Sequence, residues 1–217
     1  MKQLITILFS AFVFLSNAQE QDPKAKSILD DLSKTTKTYK TITSDFVLMM
    51  YNKDKKLTEK QAGKVVVKGQ MFKLDIPGNS IVCDGKTIWN HNKDAKEVTI
   101  KTFDANNNDQ LNPSKIFTIY ETGFKFKYDK EEKVGAALCH VIDLFPTTDQ
   151  QKKKYHTVKL FVDKTKKQVV QMKIMMKDGT MNTYEIKSFK PNTEIADASF
   201  VFDTKPFKPD QIIDERD

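Results

Sequence analysis

The chain has 217 residues, of which 39% are hydrophobic, and this length is enough for one domain with a sizeable core. Its 36 basic and 29 acidic residues give a net charge of +7, a mild excess that is spread along the sequence. His91, His140 and His156 lack metal-ligand spacing, and neither a glycine-rich phosphate loop nor a serine nucleophile motif occurs. The sequence therefore predicts a protein that is not an enzyme and that binds no metal or cofactor.

The N-terminal residues have the pattern of a secretory signal peptide. Lys2 precedes an apolar run at 4–15, and residues 16–18 supply the small-x-small pattern that signal peptidase accepts. The run is shorter than the about 20 residues of a permanent membrane span, and a retained anchor is the alternative. We therefore predict a signal peptide at 1–18, cleaved near Ala18–Gln19, and a single domain at 19–217. No cysteine lies near Ala18, so the new N-terminus offers no thiol for lipid attachment.

The next predicted element is an amphipathic helix. Asp22 followed by Pro23 is a typical helix start. Apolar residues then recur at helical spacing as far as Tyr39, which predicts a helix over 23–40 with one face that must be covered. From Thr43 onward the period changes to two, which predicts strands separated by polar turns. These strands lie around 46–50, 65–67, 72–76, 81–83, 87–90 and 98–100.

The strand pattern is interrupted after residue 102. Residues 103–109 form a polar loop, and Asn112 followed by Pro113 again resembles a helix start. A short apolar helix is predicted over 113–120, and Gly123 ends it. This segment is the second of only two predicted helices.

Strands then return until the end of the chain. They lie around 124–128, 138–145, 158–162, 170–176, 184–186 and 200–202, and Phe200 and Phe202 mark the last one. About ten antiparallel strands, half apolar and half lysine-rich, predict one large curved sheet with one wet face. Two short helices cannot fill the interior of such a sheet, which favours a cavity. A well-packed sandwich is the alternative that the pattern leaves open.

Lysines 152–154 form a local basic run. We expect a solvated loop here, and attraction to anionic headgroups is a weaker alternative. Nucleic acid is not an expected partner, because an exported protein rarely meets it.

The sulfur-containing residues are unusual in number and position. Cys83 and Cys139 lie in strand-like runs, so we predict two free, buried thiols. Residues 172–176 (MKIMM), with Met181 close behind, concentrate methionine in one strand and its turn. Flexible thioethers suit surfaces that accept variable apolar partners, although filling gaps in a core is the alternative role.

Several segments resemble the LolA family of outer-membrane lipoprotein carriers. Residues 39–46 (YKTITSDF) are similar to the family's helix end and first strand, and residues 63–74 to its glycine and valine-lysine block. The most specific match is 80–89 (SIVCDGKTIW), which resembles the family's S-DGKT-W hairpin. Asn112–Pro113 and residues 198–202 (ASFVF) also fit, so the resemblance extends from about Ala25 to Arg216.

The resemblance implies an α+β fold: an incomplete, half-open antiparallel β-barrel of about ten to eleven strands covered by two or three α-helices. It also implies a monomeric periplasmic carrier, which takes lipidated outer-membrane lipoproteins from an inner-membrane export complex. Two departures concern lid gating: Gly69–Gln70 replaces the family's arginine and proline, and Leu74 replaces the second ring of an aromatic pair that begins at Phe72. A glycolipid or other lipid carrier, or an envelope sensor-adaptor of the same fold, is the alternative.

Alternation along the strands selects the residues expected to line a lipid-binding cavity. These are Val65, Val67, Phe72, Leu74, Ile76, Ile81, Phe124, Phe126, Leu144, Val158, Leu160, Met172 and Ile174. Ile116, Phe117, Ile119 and Tyr120 are expected to form a lid that competes with acyl chains for the inner face of the sheet.

Overall fold

The computed structural model describes residues 22–104, 115 and 117–216. The predicted signal peptide at 1–18 lies outside the described residues, as do residues 113, 114 and 116 of the predicted helix over 113–120. Among the described residues, no helix is long and apolar enough to span a membrane.

Twelve strands in the described part of the chain form one sheet that does not close on itself. Across the sheet the order is β12-β6-β5-β4-β3-β2-β1-β11-β10-β9-β8-β7, and neighbours are antiparallel except β12, which lies parallel to β6. The strands are β1 Ile42–Tyr51, β2 Leu57–Lys68, β3 Met71–Ile76, β4 Asn79–Cys83, β5 Thr87–Asn92, β6 Glu97–Thr102, β7 Phe124–Val134, β8 Ala137–Pro146, β9 Tyr155–Asp163, β10 Val169–Met176, β11 Met181–Pro191 and β12 Ile212–Asp214. An open antiparallel sheet agrees with the expected class, with more strands than predicted.

One long helix, α1 (Pro23–Thr36), crosses one half of the sheet. Asp22 caps it: Oδ1 accepts from the backbone N–H groups of Lys24 and Ala25 at 2.9 and 3.1 Å. The second carboxylate oxygen, Oδ2, accepts from the N–H of Tyr128 in β7 at 2.9 Å. These bonds, the one from Tyr128 first, hold the pKa of Asp22 below its usual value. The same side chain therefore starts the helix and fixes it to the sheet.

The sheet has an inner face, one half of which α1 covers, and an outer face that carries charged, polar and apolar side chains. The inner face carries two adjacent apolar clusters, which share Tyr184 as a neighbour. On the outer face, Cys139, Val141 and Phe161 form a small third cluster. Lys159 crosses the outer face beside it and binds both Asp129 and Asp143, at 2.7 and 2.6 Å.

One helix prediction and one loop prediction are wrong. The first helix ends at Thr36 rather than at residue 40, because Tyr39 leaves the helix to pack its ring 5.7 Å from that of Phe189. The lysine run at 152–154, expected as a loop, forms the end of a short helix, α2 (Asp149–Lys154). Thr148 caps this helix by accepting from the N–H of Gln151.

The prediction of a last strand at Phe200 and Phe202 is also wrong. Residues Asp197–Phe200 form a 3₁₀ turn, and Phe200 is fully buried. Phe202 instead packs edge-on against His91, with ring centroids 5.6 Å apart. The last strand is β12, and its three residues are too few to show a strand period.

Candidate functional site

The inner face is divided into two halves by what covers it. The helix half consists of β7–β10 covered by α1, whose Ala25, Ile28, Leu29 and Leu32 are buried against the strands. The connection half consists of β1–β5 and β11, and α1 contributes nothing to its cluster. Tyr39, Phe103 and Phe117 pack on it from outside the sheet. Phe103 and Phe117 belong to the segment that joins β6 to β7, called here the connection (residues 103–123).

Phe117 is the deepest described side chain of the connection half's cover. It is 5% exposed and packs edge-on against Phe189, with ring centroids 5.5 Å apart. Phe103 meets Phe72 in the same way, at 6.2 Å. The connection therefore places aromatic rings on a strand surface that would otherwise be open and apolar.

Next to Phe117 lies a small apolar hollow of about 20 Å³. This space has room for about one water molecule. Its wall consists of Phe46, Val65, Phe117, Val169, Met172, Tyr184 and Ile186. Burial raises the pKa of the Tyr184 phenol, so the wall stays uncharged. A larger apolar ligand fits this hollow only if one of its wall residues moves.

Phe46 owes its position to a glycine. Gly63 stands opposite Phe46 in the β1–β2 register, and the Phe46 ring lies over its bare backbone. A Cβ at position 63 would be 2.9 Å from each of the two Cε atoms of that ring, well inside contact distance. The absence of a side chain at Gly63 therefore determines where the Phe46 ring lies in the wall of the hollow.

The C-terminal end of the connection is held by few polar contacts. Residues Ile119–Glu121 form a 3₁₀ turn rather than the end of the expected α-helix, and Gly123 follows at φ +81°. Glu121 accepts a hydrogen bond from Ser33 and forms an ion pair with Lys37 at 3.0 Å. Exposed ion pairs contribute little. The burial of Tyr120 and Phe117 contributes most of the stability of this docked end. The same burial raises the pKa of the Tyr120 phenol.

A family model described as "Outer membrane lipoprotein carrier protein LolA" matches residues 37–203. The chain belongs to the LolA family. The resemblance to the family is thereby confirmed, and the match covers strands β1 to β11 but neither α1 nor β12. No curated protein matches the chain.

Solved structures share the fold at low sequence identity. An uncharacterized conserved protein from Thermus thermophilus matches with a TM-score of 0.57 and 13% identity, over 89% of this chain and 99% of that one. LprF from Mycobacterium bovis matches with a TM-score of 0.50 and 12% identity, over 81% and 96%. At these identities the similarity establishes the LolA-like fold alone.

The structure places all thirteen predicted cavity residues of this LolA-family chain in the two inner-face clusters. Val65, Val67, Phe72, Leu74, Ile76 and Ile81 lie in the connection half. Phe124, Phe126, Leu144, Val158, Leu160, Met172 and Ile174 lie in the helix half. Only Val65 and Met172 line the hollow beside Phe117. Of the predicted lid, Phe117 and Tyr120 are buried and Ile119 is half-buried, whereas Ile116 lies outside the described residues.

The sequence prediction missed five residues of the hollow: Phe46, Phe117 as a wall residue, Val169, Tyr184 and Ile186. The alternation of apolar residues along the strands already placed Phe46, Tyr184 and Ile186 on the inner face. Their position beside the hollow follows from which strands pair with each other. Phe46 stands opposite Ile186 across β1 and β11. A sequence gives this pairing only after the strand order is known.

The remaining candidate groups supply no chemistry. Cys83 and Cys139 are free and fully buried, Cys83 in the connection half and Cys139 in the outer-face cluster. Burial raises the pKa of each thiol to about 11, so neither is a thiolate at neutral pH. Gly69–Gln70, where the LolA pattern has arginine and proline, forms the β2–β3 turn with Gly69 at φ +58°. In the described residues, no group of side chains could hold a metal ion.

Proposed function

We propose that this chain is a periplasmic carrier that holds lipoprotein acyl chains against its inner face and moves them from the inner to the outer membrane. Its proposed partners are lipidated outer-membrane lipoproteins and an inner-membrane export complex, and it acts as a monomer. Membership of the LolA family supports this proposal.

The observation that carries the proposal is the unequal cover of the inner face. The helix half is covered by α1, which is fixed through its Asp22 cap to β7. The connection half is covered by Phe103 and Phe117 from the connection. The C-terminal end of the connection is held mainly by the burial of Phe117 and Tyr120, and Glu121 adds one hydrogen bond and one ion pair. A cover that can be displaced from an apolar surface is what a carrier needs, because the empty protein must hide that surface from water.

The energies favour easy loading and difficult release. Burying methylene groups gains about 0.8 kcal/mol each, so one sixteen-carbon chain contributes on the order of 10 kcal/mol before ordering costs. Displacing Phe117 costs about 1.5–3 kcal/mol of that gain. The docked connection therefore weakens binding without preventing it, and its return to the inner face helps to expel the cargo.

The proposal is tested by native mass spectrometry of the protein purified from an envelope extract. A co-purifying lipoprotein supports the proposal. A glycolipid or another lipid would assign a different cargo to the same surface. A lipid-free species bound to a protein partner would instead support the adaptor function and overturn the carrier.

The role of Phe117 is tested by substitution. Phe117→Ala removes the ring that competes for the inner face, so we expect an apolar dye or a fatty-acid probe to bind about tenfold or more tightly. Fluorescence titration measures this change. Phe161→Ala is the matched control, because Phe161 is an equally buried ring on the outer face and its loss should not tighten binding. Equal binding by the wild type and Phe117→Ala would contradict the lid.

A further inference from the structure

One end of the sheet combines lysines with exposed and half-exposed apolar side chains. It is formed by the β1–β2 turn (52–56), α2 and the β10–β11 turn (177–180), together called the rim. The backbone N–H of Lys177 donates to the carbonyl of Lys154 at 3.0 Å. Lys53 packs over Gly179, where an added Cβ would lie 3.3 Å from the Lys53 Cγ. The three segments are therefore neighbours in space although they are distant in sequence.

The rim concentrates positive charge. Its segments contain seven lysines and three aspartates, a net charge of +4 out of +7 for the whole chain. All seven lysines are exposed, and they are Lys53, Lys55, Lys56, Lys152, Lys153, Lys154 and Lys177. Asp149 forms an ion pair with Lys152 at 3.6 Å, which leaves the excess charge of the rim unchanged. The rim is thus suited to an anionic partner.

The strand ends beside these lysines are rich in methionine. Five of the eight methionines of the chain lie there, at positions 49, 50, 175, 176 and 181. Tyr51 pairs with Leu57 on one side and with Met181 on the other. Leu57 is 51% exposed, which is unusual for a leucine. Thioethers, a tyrosine and an exposed leucine ringed by lysines resemble the composition of protein surfaces that enter a lipid headgroup layer.

We propose that the rim docks this protein on an anionic lipid bilayer. The lysines would meet the phosphates, and Leu57 and Tyr51 would enter the headgroup layer. Met50 and Met176 belong to the same strand ends and also pack against the two inner-face clusters. A docked rim therefore gives the inner face an apolar path to the bilayer. This docking goes beyond the carrier function, because it needs no cargo and no protein receptor.

Vesicle co-sedimentation tests the electrostatic part. The protein is expressed with all 217 residues, and the form that the cell produces is purified from the envelope. We expect binding to phosphatidylglycerol-containing vesicles at low salt, weaker binding at high salt, and little binding to pure phosphatidylcholine vesicles. Replacing Lys53, Lys55 and Lys56 together by glutamine should weaken binding about tenfold or more, because each lysine near an anionic surface changes binding roughly fivefold.

The control carries the same change of charge at the opposite end of the sheet. Lys86, Lys133 and Lys166 are exposed and lie at or beside the turns that close β4–β5, β7–β8 and β9–β10. Their replacement by glutamine should change vesicle binding less than about threefold. The reason is that these charges would lie farther from the membrane surface than the screening distance. Equal losses in the two triple variants would show a general charge effect and would overturn docking through the rim.

The apolar part has its own matched pair. Leu57→Asn removes the exposed leucine of the rim, and Leu138→Asn removes an exposed leucine near the opposite end, where the Leu138 carbonyl accepts from the N–H of Lys164. We expect a several-fold loss of vesicle binding for Leu57→Asn alone. Failure of the wild type to bind anionic vesicles would overturn the proposal and would favour a protein receptor for the rim. These vesicle experiments do not depend on acyl cargo. Their failure would therefore leave the carrier function to be decided by native mass spectrometry.

Discussion

At the scale of single residues, the pair Phe46 and Gly63 shows how a cross-strand contact sets the shape of the interior. Glycine in the middle of a strand costs stability, and a β2 strand with Gly63 at its centre needs a reason for it. The reason is the Phe46 ring, which covers the bare backbone from the neighbouring strand. The Phe46 ring therefore lies against the backbone of β2, beside the hollow, and does not project into it.

We expect Gly63→Ala to destabilise the protein by about 1–3 kcal/mol, because the new methyl group forces the Phe46 ring into the hollow. Chemical denaturation measures the change in the free energy of unfolding. Phe46→Leu is the matched background, since it removes the ring atoms that the methyl group would meet. In that background Gly63→Ala should cost much less. An equal cost in both backgrounds would mean that the ring is not the obstacle.

Alternation alone was enough to place residues on the correct face. The thirteen predicted cavity residues all lie on the inner face because a strand has a period of two, and no slip of register reversed them. Alternation could not rank them, however. Whether a residue lines the hollow depends on which strand lies opposite and on what the connection inserts, and Phe46 and Phe117 illustrate the two cases.

At the scale of elements, the predictions that failed concern segments whose structure is decided by distant contacts. Residues 36–39 continue the helical spacing, but Tyr39 is drawn to Phe189 and receives a hydrogen bond from Gln168 at 3.1 Å. The segment after β11 has strand-like phenylalanines, yet Phe202 and Phe207 both pack on His91. A local sequence pattern predicts structure well where a residue contacts its own helix or strand. Tyr39, Phe202 and Phe207 instead contact residues that are distant in sequence.

The two edges of the sheet are protected in different ways. β6 is covered by β12, which runs parallel to it, and the N–H of Glu215 extends this pairing by donating to the carbonyl of Ile100 at 2.8 Å. Among the described residues, no strand pairs with the other edge of β7, where Asp22 accepts from the N–H of Tyr128. The exposed positions of β7 are mostly lysine, and a bulge lies between Tyr128 and Lys130. Charge and bulges both oppose pairing with a second sheet. An open sheet can thus remain open without aggregating.

At the scale of the whole molecule, the two faces of the sheet differ in how permanently they are covered. On the outer face, Lys173 lies 4.8 Å from the centre of the Phe161 ring, and Lys159 is bound by two carboxylates. These two covers belong to the strands themselves, whereas Phe202 and Phe207 cover His91 from the segment after β11. On the connection half of the inner face, part of the cover is Phe117. Residues 117–121 belong to no strand, so Phe117 can leave without breaking any strand pairing.

This difference predicts a specific pattern of amide exchange when a fatty-acid probe is added. Residues 117–121 should exchange about tenfold or more faster, because the amides of Thr118 and Glu121 are bonded only within the connection and are released with Phe117. The β1, β2 and β10 strands, which border the hollow, should exchange more slowly, since a ligand that binds the folded state stabilises it.

Exchange in α1 is the internal control for this experiment. Its Asp22 cap and its packing on the helix half do not involve Phe117, so its protection should rise only as much as global stability does. Hydrogen–deuterium exchange with mass spectrometry resolves the three regions. If residues 117–121 gained protection together with the strands, the connection would be a fixed wall of the interior, and acyl chains would have to bind without displacing it.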